Sequence, residues 1–253
     1  MVKKSRKKAS VQIEAALFAA TSIPCFYGNL TIQPKEEAIL KAMEMSHHKE
    51  GQLAFFTDGA VHIRKSKQDT VHRISSKQAQ CQSRDPPLRR NMIKLATTIA
   101  YKATENNEWI VKAFTVPPRG RHYYLEAEMA GVAGALAIAI SSIKISKKKP
   151  SITSHKVVIL TDCLAAIHQL QKLQEHTPKR QFQDNALACK LITRSQYLHD
   201  LGVTLEVHWI PGHHPAIPGN LRADTEARRT AKSGMNVYEW ELIEVGLQPC
   251  FCR

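Results

Sequence analysis

No two cysteines in this chain stand at the CxxC spacing that closes a structural zinc site. Cys25, Cys81, Cys163, Cys189, Cys250 and Cys252 are scattered, and reduced thiols account for them. Only the terminal C-F-C of Cys250 and Cys252 leaves room for a metal or redox role. An uninterrupted membrane span is missing too. The most apolar stretch, residues 125–145, carries Glu126 and Glu128 at its start and runs into Lys147, Lys148 and Lys149, and a bilayer core rejects two carboxylates there. No secretory leader is expected, because the basic start meets Gln12 and Glu14 before enough apolar residues accumulate. These absences predict an intracellular protein, in the nucleus or the cytoplasm, with no membrane partner. Acids are also scarce, with 22 Asp and Glu against 36 Lys and Arg, a net charge of +14 and a pI near 9.6. Lys3, Lys4, Arg6, Lys7 and Lys8 supply only five of those charges, so the excess is not only a tail effect. Such a field attracts phosphodiester backbones or anionic surfaces. It does not separate catalysis on nucleic acid from passive binding.

The 253 residues are long enough for a substantial core, and the pattern reads as one domain with appendages. Residues 1–50 read as a basic amino-terminal extension, partly disordered, with an apolar patch near Ala15, a break at Pro24 and Gly28, and a helix over 34–45. Its K-K-S-R-K-K run is either a nuclear-localisation or nucleic-acid-contacting patch or a solvated tail. The domain is expected over 51–233, with a basic insertion over about 75–107 and a tail over 234–253. Within it, Q-L-A-F-F-T-D-G-A reads as a strand stopping at an acidic turn at Gly59. Residues 61–63 and 70–74 make a next arm, 91–103 a helix inside the insertion, and 109–116 a further strand. Leu125, Met129, Val132, Leu136 and Ile140 recur at helical spacing, with Ala127, Gly131 and Gly134 small enough for close packing on a sheet. The β-branched run 156–160 is a strand, followed by a helix with Ala165, Ile167 and Leu170. A helix over 185–201 ends before Gly202, residues 203–210 form the last strand, and 220–232 the last helix. The alternation predicts an α/β domain with a five-stranded mixed sheet and helices on both faces.

Four acids stand out. Asp58 and Asp162 end the first and fourth strands, and Asp224 opens the last helix just after the fifth. Carboxylates at the carboxyl ends of neighbouring strands converge on one sheet edge, where α/β proteins place their sites. Glu128 lies in the first turn of the long helix beside its apolar face, a costly place unless it is paired or bound to metal. Each has an ordinary alternative as a turn residue, an N-cap, a dipole partner or a surface charge. Together they are the oxygen-only set that suits two Mg²⁺ ions, with Mn²⁺ able to substitute, for in-line phosphodiester cleavage.

F-T-D-G at 56–59, A-E-M-A-G-V-A-G-A-L at 127–136, L-T-D-C at 160–163, and W-I-P-G-H followed by G-N-L-R-A-D at 209–224 resemble, in order, the four motif blocks of type 1 ribonuclease H. They are most similar to the versions in retroelement polyproteins of fungi and other eukaryotes. The resemblance covers residues 52–232 and implies a ribonuclease H-like fold. It also implies an endonuclease that cuts the RNA strand of an RNA–DNA hybrid, with Asp58, Glu128, Asp162 and Asp224 as metal ligands. A mobile histidine after the last strand is further implied: the P-G-H block makes it His213, whereas counting back from Asp224 reaches His214.

Three departures from the pattern accompany the match. The interval from Asp58 to Glu128 is long, Leu221 stands where the family often has an acid, and Leu125 and Glu126 occupy the place of polar residues that read the RNA 2′-hydroxyl. Arg64, Lys65, Lys67, Arg119, Arg121, Lys144 and Lys147–Lys149 are either a phosphate-tracking surface or solvated loops. Trp209 reads as core at a strand end rather than a base-stacking platform. No reverse-transcriptase motif accompanies the blocks, which fits a retroelement fragment or a domesticated copy. The competing readings are a non-catalytic hybrid-binding module that keeps the fold, and an exonuclease or DNA-cleaving nuclease of the same broad fold.

Overall fold

The computed structural model describes residues 25–47, 49–64, 93–102, 107–118, 122–146, 156–175 and 186–233. The basic amino-terminal run, the arm at 70–74, most of the insertion, Lys65, Lys67, Arg119, Arg121, the lysines at 147–149, Cys81 and the carboxyl-terminal tail fall outside them. In chain order the elements are β1 (Asn29–Thr31), α1 (Lys35–Met45), β2 (Gln52–Ile63), β3 (Ile93–Lys102), β4 (Trp109–Val116), α2 (Tyr123–Ser146), β5 (Lys156–Thr161), α3 (Leu164–Gln174), α4 (Ala186–Asp200), β6 (Thr204–Trp209) and α5 (Pro218–Ser233).

They build an α/β fold around one sheet in the order β1-β6-β5-β2-β3-β4. The first four strands of that order run parallel, and β2, β3 and β4 form an antiparallel meander. K-V-V-I-L-T of β5 is apolar on successive residues because both faces are covered: Val157 and Ile159 enter one core cluster, Val158 and Leu160 the other. Helices α2, α3 and α4 lie over the first face, and α1 and α5 over the second. Helix α2 is apolar all round because it is buried from Ala127 to Ile140 with no break. By length and composition it would suit a membrane, yet 83% of its candidate span is buried inside the domain. Arg194 of α4 ties onto it, donating to the Ala133 carbonyl at 2.7 Å.

The sheet has six strands where five were expected: two strands are new, and residues 61–63, expected in a separate arm, continue β2. Residues 93–102 form strand β3, not the helix expected over 91–103. A central strand covered on both faces loses its period-two signal, so Ile93, Ala96 and Ala100 mimic helical spacing. The β-branched Thr97, Thr98 and Ile99 favour the strand. The insertion therefore holds part of the core sheet. The other new strand, β1, comes from the expected extension and pairs with β6 through Asn29↔Glu206, Leu30↔Val207 and Thr31↔His208. Phe26 just before it is buried, and its N–H donates to the Leu173 carbonyl at 2.9 Å. Ala38, Ala42 and Met45 of α1 are likewise buried, so these residues are folded onto the domain.

Strand β2 does not stop at Asp58. It continues to Ile63 against β3, with Asp58↔Thr98 and Gly59↔Thr97 in register, whereas its parallel pairing with β5 ends at Thr57↔Thr161. Gly59 serves close packing rather than a turn. A Cβ at that position would lie 2.6 Å from the Glu128 backbone nitrogen and 2.8 Å from the Ala127 carbonyl carbon. Backbone atoms inside a buried helix cannot swing aside. Gly59→Ala is accordingly expected to destabilise the protein by about 2 kcal/mol or more, lowering Tm by roughly 4–8 °C. Thermal unfolding followed by circular dichroism checks this, and an unchanged Tm would contradict the close approach.

Candidate metal centre

The end of parallel pairing creates the site. Asp58 is the first residue of β2 beyond its last partner on β5, and Asp162 is the first residue after β5. The two side chains meet where the neighbouring strand gives out. Glu128 descends onto them from α2, in the second turn of the helix rather than the first, because α2 begins at Tyr123. One carboxylate oxygen from each of Asp58, Glu128 and Asp162 lies within 4.8 Å of the other two. Asp58 and Glu128 are 6% and 7% exposed, which is unusual for acids without a cationic partner.

Their proton affinities follow from that crowding. Burial, then the charges of Asp162 and Asp224, push the Asp58 carboxyl up to about 7, against the opposing Gly59 N–H. Burial raises Glu128 well above the ordinary range, with Asp58 and Asp162 adding to it. Asp162 is raised chiefly by burial, and the Asn220 amide and His213 work the other way. Asp58 and Glu128 stand within mutual reach, and the Gly59 N–H favours the ionised form of both carboxyls. Oε2 of Glu128 is buried without a hydrogen-bond partner. An orphaned carboxylate oxygen in an all-oxygen group is what a hard cation would satisfy, so the residues present fit a divalent metal ion.

Asp224 stands beside this triad. It lies in the second turn of α5, not at its start, since α5 begins at Pro218. It is close enough for its charge to raise both Asp58 and Asp162. Its Oδ1 is engaged by Arg228 Nε at 2.7 Å and its Oδ2 lies 3.6 Å from His213 Nδ1. Arg228 also donates to His213 Nε2 at 3.1 Å. His213 has a backbone φ of 54° and a side chain 61% exposed. The two candidate histidines thus have different surroundings: His214 Nδ1 accepts the Ala216 N–H at 3.3 Å and its carbonyl accepts the Ile217 N–H, which builds it into the turn entering α5.

Two residues here escaped the sequence reading. Asn220 Nδ2 donates to Asp162 Oδ2 at 3.3 Å, and Arg228 links Asp224 to His213. The signal for both is helical spacing, because 220, 224 and 228 recur every four residues and share one face of α5. Trp209 is indeed a packing residue, partly buried against the core, with Nε1 donating to the Asp162 carbonyl at 3.1 Å. Lys144 stands over the Tyr197 ring at 5.1 Å, about 24 Å along α2 from Glu128, and so lies outside the site.

No family model and no curated protein matches the chain. Solved structures do resemble it. RNase H1 of the halophilic archaeon Halobacterium salinarum NRC-1 is 14% identical, covering 73% of this chain and 99% of its own, with a TM-score of 0.39. The RNase H domain of prototype foamy virus is 20% identical over 72% of this chain and 94% of its own, with a TM-score of 0.41. An RNase H1 solved in complex with an RNA/DNA hybrid is 14% identical over 71% and 99%, with a TM-score of 0.39. At such identities and scores the site stands on its own side chains.

A carboxyl whose folded-state pKa lies above its unfolded value stabilises the native state while protonated. That contribution is full at low pH and is lost as pH rises from the ordinary carboxyl value through about 7, the value for Asp58. Metal binding requires the ionised acids. Millimolar Mg²⁺ is therefore expected to raise Tm more at about pH 8 than at about pH 5, and Asp58→Asn to flatten the difference. Thermal scans with Mg²⁺ or with EDTA test this, and curves that superpose at every pH would rule out a metal centre here.

Proposed function

We propose that this chain is a metal-dependent ribonuclease H that hydrolyses the RNA strand of RNA–DNA hybrids. The observation that carries the proposal is the buried triad of Asp58, Glu128 and Asp162, with its unpartnered Glu128 oxygen, at the edge where parallel strand pairing ends. The four ordered motif blocks and the net charge of +14 support a polyanionic substrate.

Asp58, Glu128 and Asp162 would hold the cation, with Asp224 beside them as the fourth acid of the set. Two Mg²⁺ ions, or Mn²⁺ in their place, would supply activation of a water and stabilisation of the leaving oxygen in an in-line displacement. The chain's own residues provide the rest. Gly59 N–H favours the ionised form of Asp58 and Glu128. Burial of the triad strengthens the attraction of the acids for a cation, because little water screens it. His213 is the mobile histidine of this reading: its ring is exposed and lies beside Asp224. Choice of RNA as the cut strand rests on the resemblance, and residues 125 and 126 are the place where it departs.

Purified protein with Mg²⁺ or Mn²⁺ is expected to cleave a labelled RNA strand annealed to DNA, and Asp58→Asn or Asp162→Asn to lower the rate by about 1000-fold or more. Tight hybrid binding with no cleavage under either metal would establish a binding module instead. His213→Ala is expected to cost about 100-fold in rate, and His214→Ala much less. The reverse order would move the mobile histidine to position 214.

A further inference from the structure

We infer that Asn220 is a positioning residue of the metal centre, fixing the rotamer in which Asp162 meets Asp58 and Glu128. The inference rests on the metal-binding reading above and concerns a residue outside the acid set.

Asn220 is fully buried. It is the third residue of α5 and one turn ahead of Asp224, inside the helix rather than at its cap. Its side chain leaves the helix and crosses to the end of β5, where Nδ2 donates to Asp162 Oδ2 at 3.3 Å. Its Oδ1 has no partner. A buried amide that satisfies one end and leaves the other bare is costly, and Ile217 and Ala223 close by show that the helix start is otherwise apolar. A side chain retained there for packing alone would not need the amide.

The amide's orientation is set by its partner, because turning Oδ1 toward an ionised carboxylate would oppose two acceptors. On another side of the same oxygen, a Cβ added to Gly212 would stand 2.7 Å from Asp162 Oδ2, so the loop backbone passes directly against it. The Asp162 main chain is held as well, its carbonyl accepting from Trp209 Nε1. Asn220 and the Gly212 backbone therefore confine Oδ2, and the carboxylate has little freedom to turn away from Asp58 and Glu128. Partners that orient a ligand in this way are typically worth 10–100-fold in metal affinity.

The test is calorimetric titration of Mn²⁺ into the full chain as wild type, Asn220→Ala and Asp58→Asn, with Tm measured on each metal-free protein. The expected result is tight binding by wild type, a Kd about 10–100-fold weaker for Asn220→Ala, and a larger loss for Asp58→Asn. In hybrid cleavage the metal concentration giving half-maximal rate should shift by the same factor, with the rate recovering at saturating metal. A Kd unchanged from wild type, whether or not Tm falls, would overturn the inference and leave the metal centre standing. Absence of Mn²⁺ binding by wild type would remove both. Should Asn220→Ala fail to fold, Asn220→Cys is close to asparagine in size and offers only a weak donor, and it serves the same comparison.

Discussion

Three carboxylates with oxygens within 4.8 Å of one another, two of them nearly sealed from water, repel each other in a medium that screens little. Such a group persists only if it takes up protons or a cation, and only if the surrounding structure is rigid enough to prevent the acids from separating. The raised proton affinities of Asp58, Glu128 and Asp162 follow from that burial and crowding. The rigidity comes from the elements that carry the acids. Asp58 sits on β2 and Asp162 just past the end of the adjacent β5, and Glu128 is on a helix buried along most of its length.

The close approach of α2 to β2 makes this possible. With hydrogen as its side chain, Gly59 lets the helix backbone descend until Glu128 reaches the strand edge. The opposite face contributes through α5, whose residues 220, 224 and 228 place an amide, an acid and a guanidinium in one row. That row touches Asp162 and His213. The helix thus connects the triad to the exposed loop after β6. Arg228 engages Asp224 Oδ1, and Asp224 stands beside the triad rather than within it.

The acids and their order were legible in the sequence because each follows or precedes a short apolar run with its own signal. T-D-G after Phe55 and Phe56, T-D after the β-branched run of β5, and an acid one turn behind the start of an apolar helix are local patterns. The strand over 93–102 was not legible. A strand covered on both faces carries no alternation, and its pairing with β2 is a contact between residues about forty positions apart. Strand β1 was equally hidden, since three residues become a strand only because β6 offers them an edge. The two histidines could not be ranked from spacing alone, for they are adjacent and differ only in what surrounds them.

The sequence by itself determined the fold class, the chemical identity of the acid cluster and the edge of the sheet where it lies, because hydrophobic period and strand-terminal acids are written in consecutive residues. Only the tertiary structure decided which acids come into mutual reach, that Arg228 holds Asp224, that His213 rather than His214 faces the site, and that Asn220 grips Asp162. Those are distances between elements far apart in the chain, set by how helices pack on the sheet, and no run of neighbouring residues encodes them.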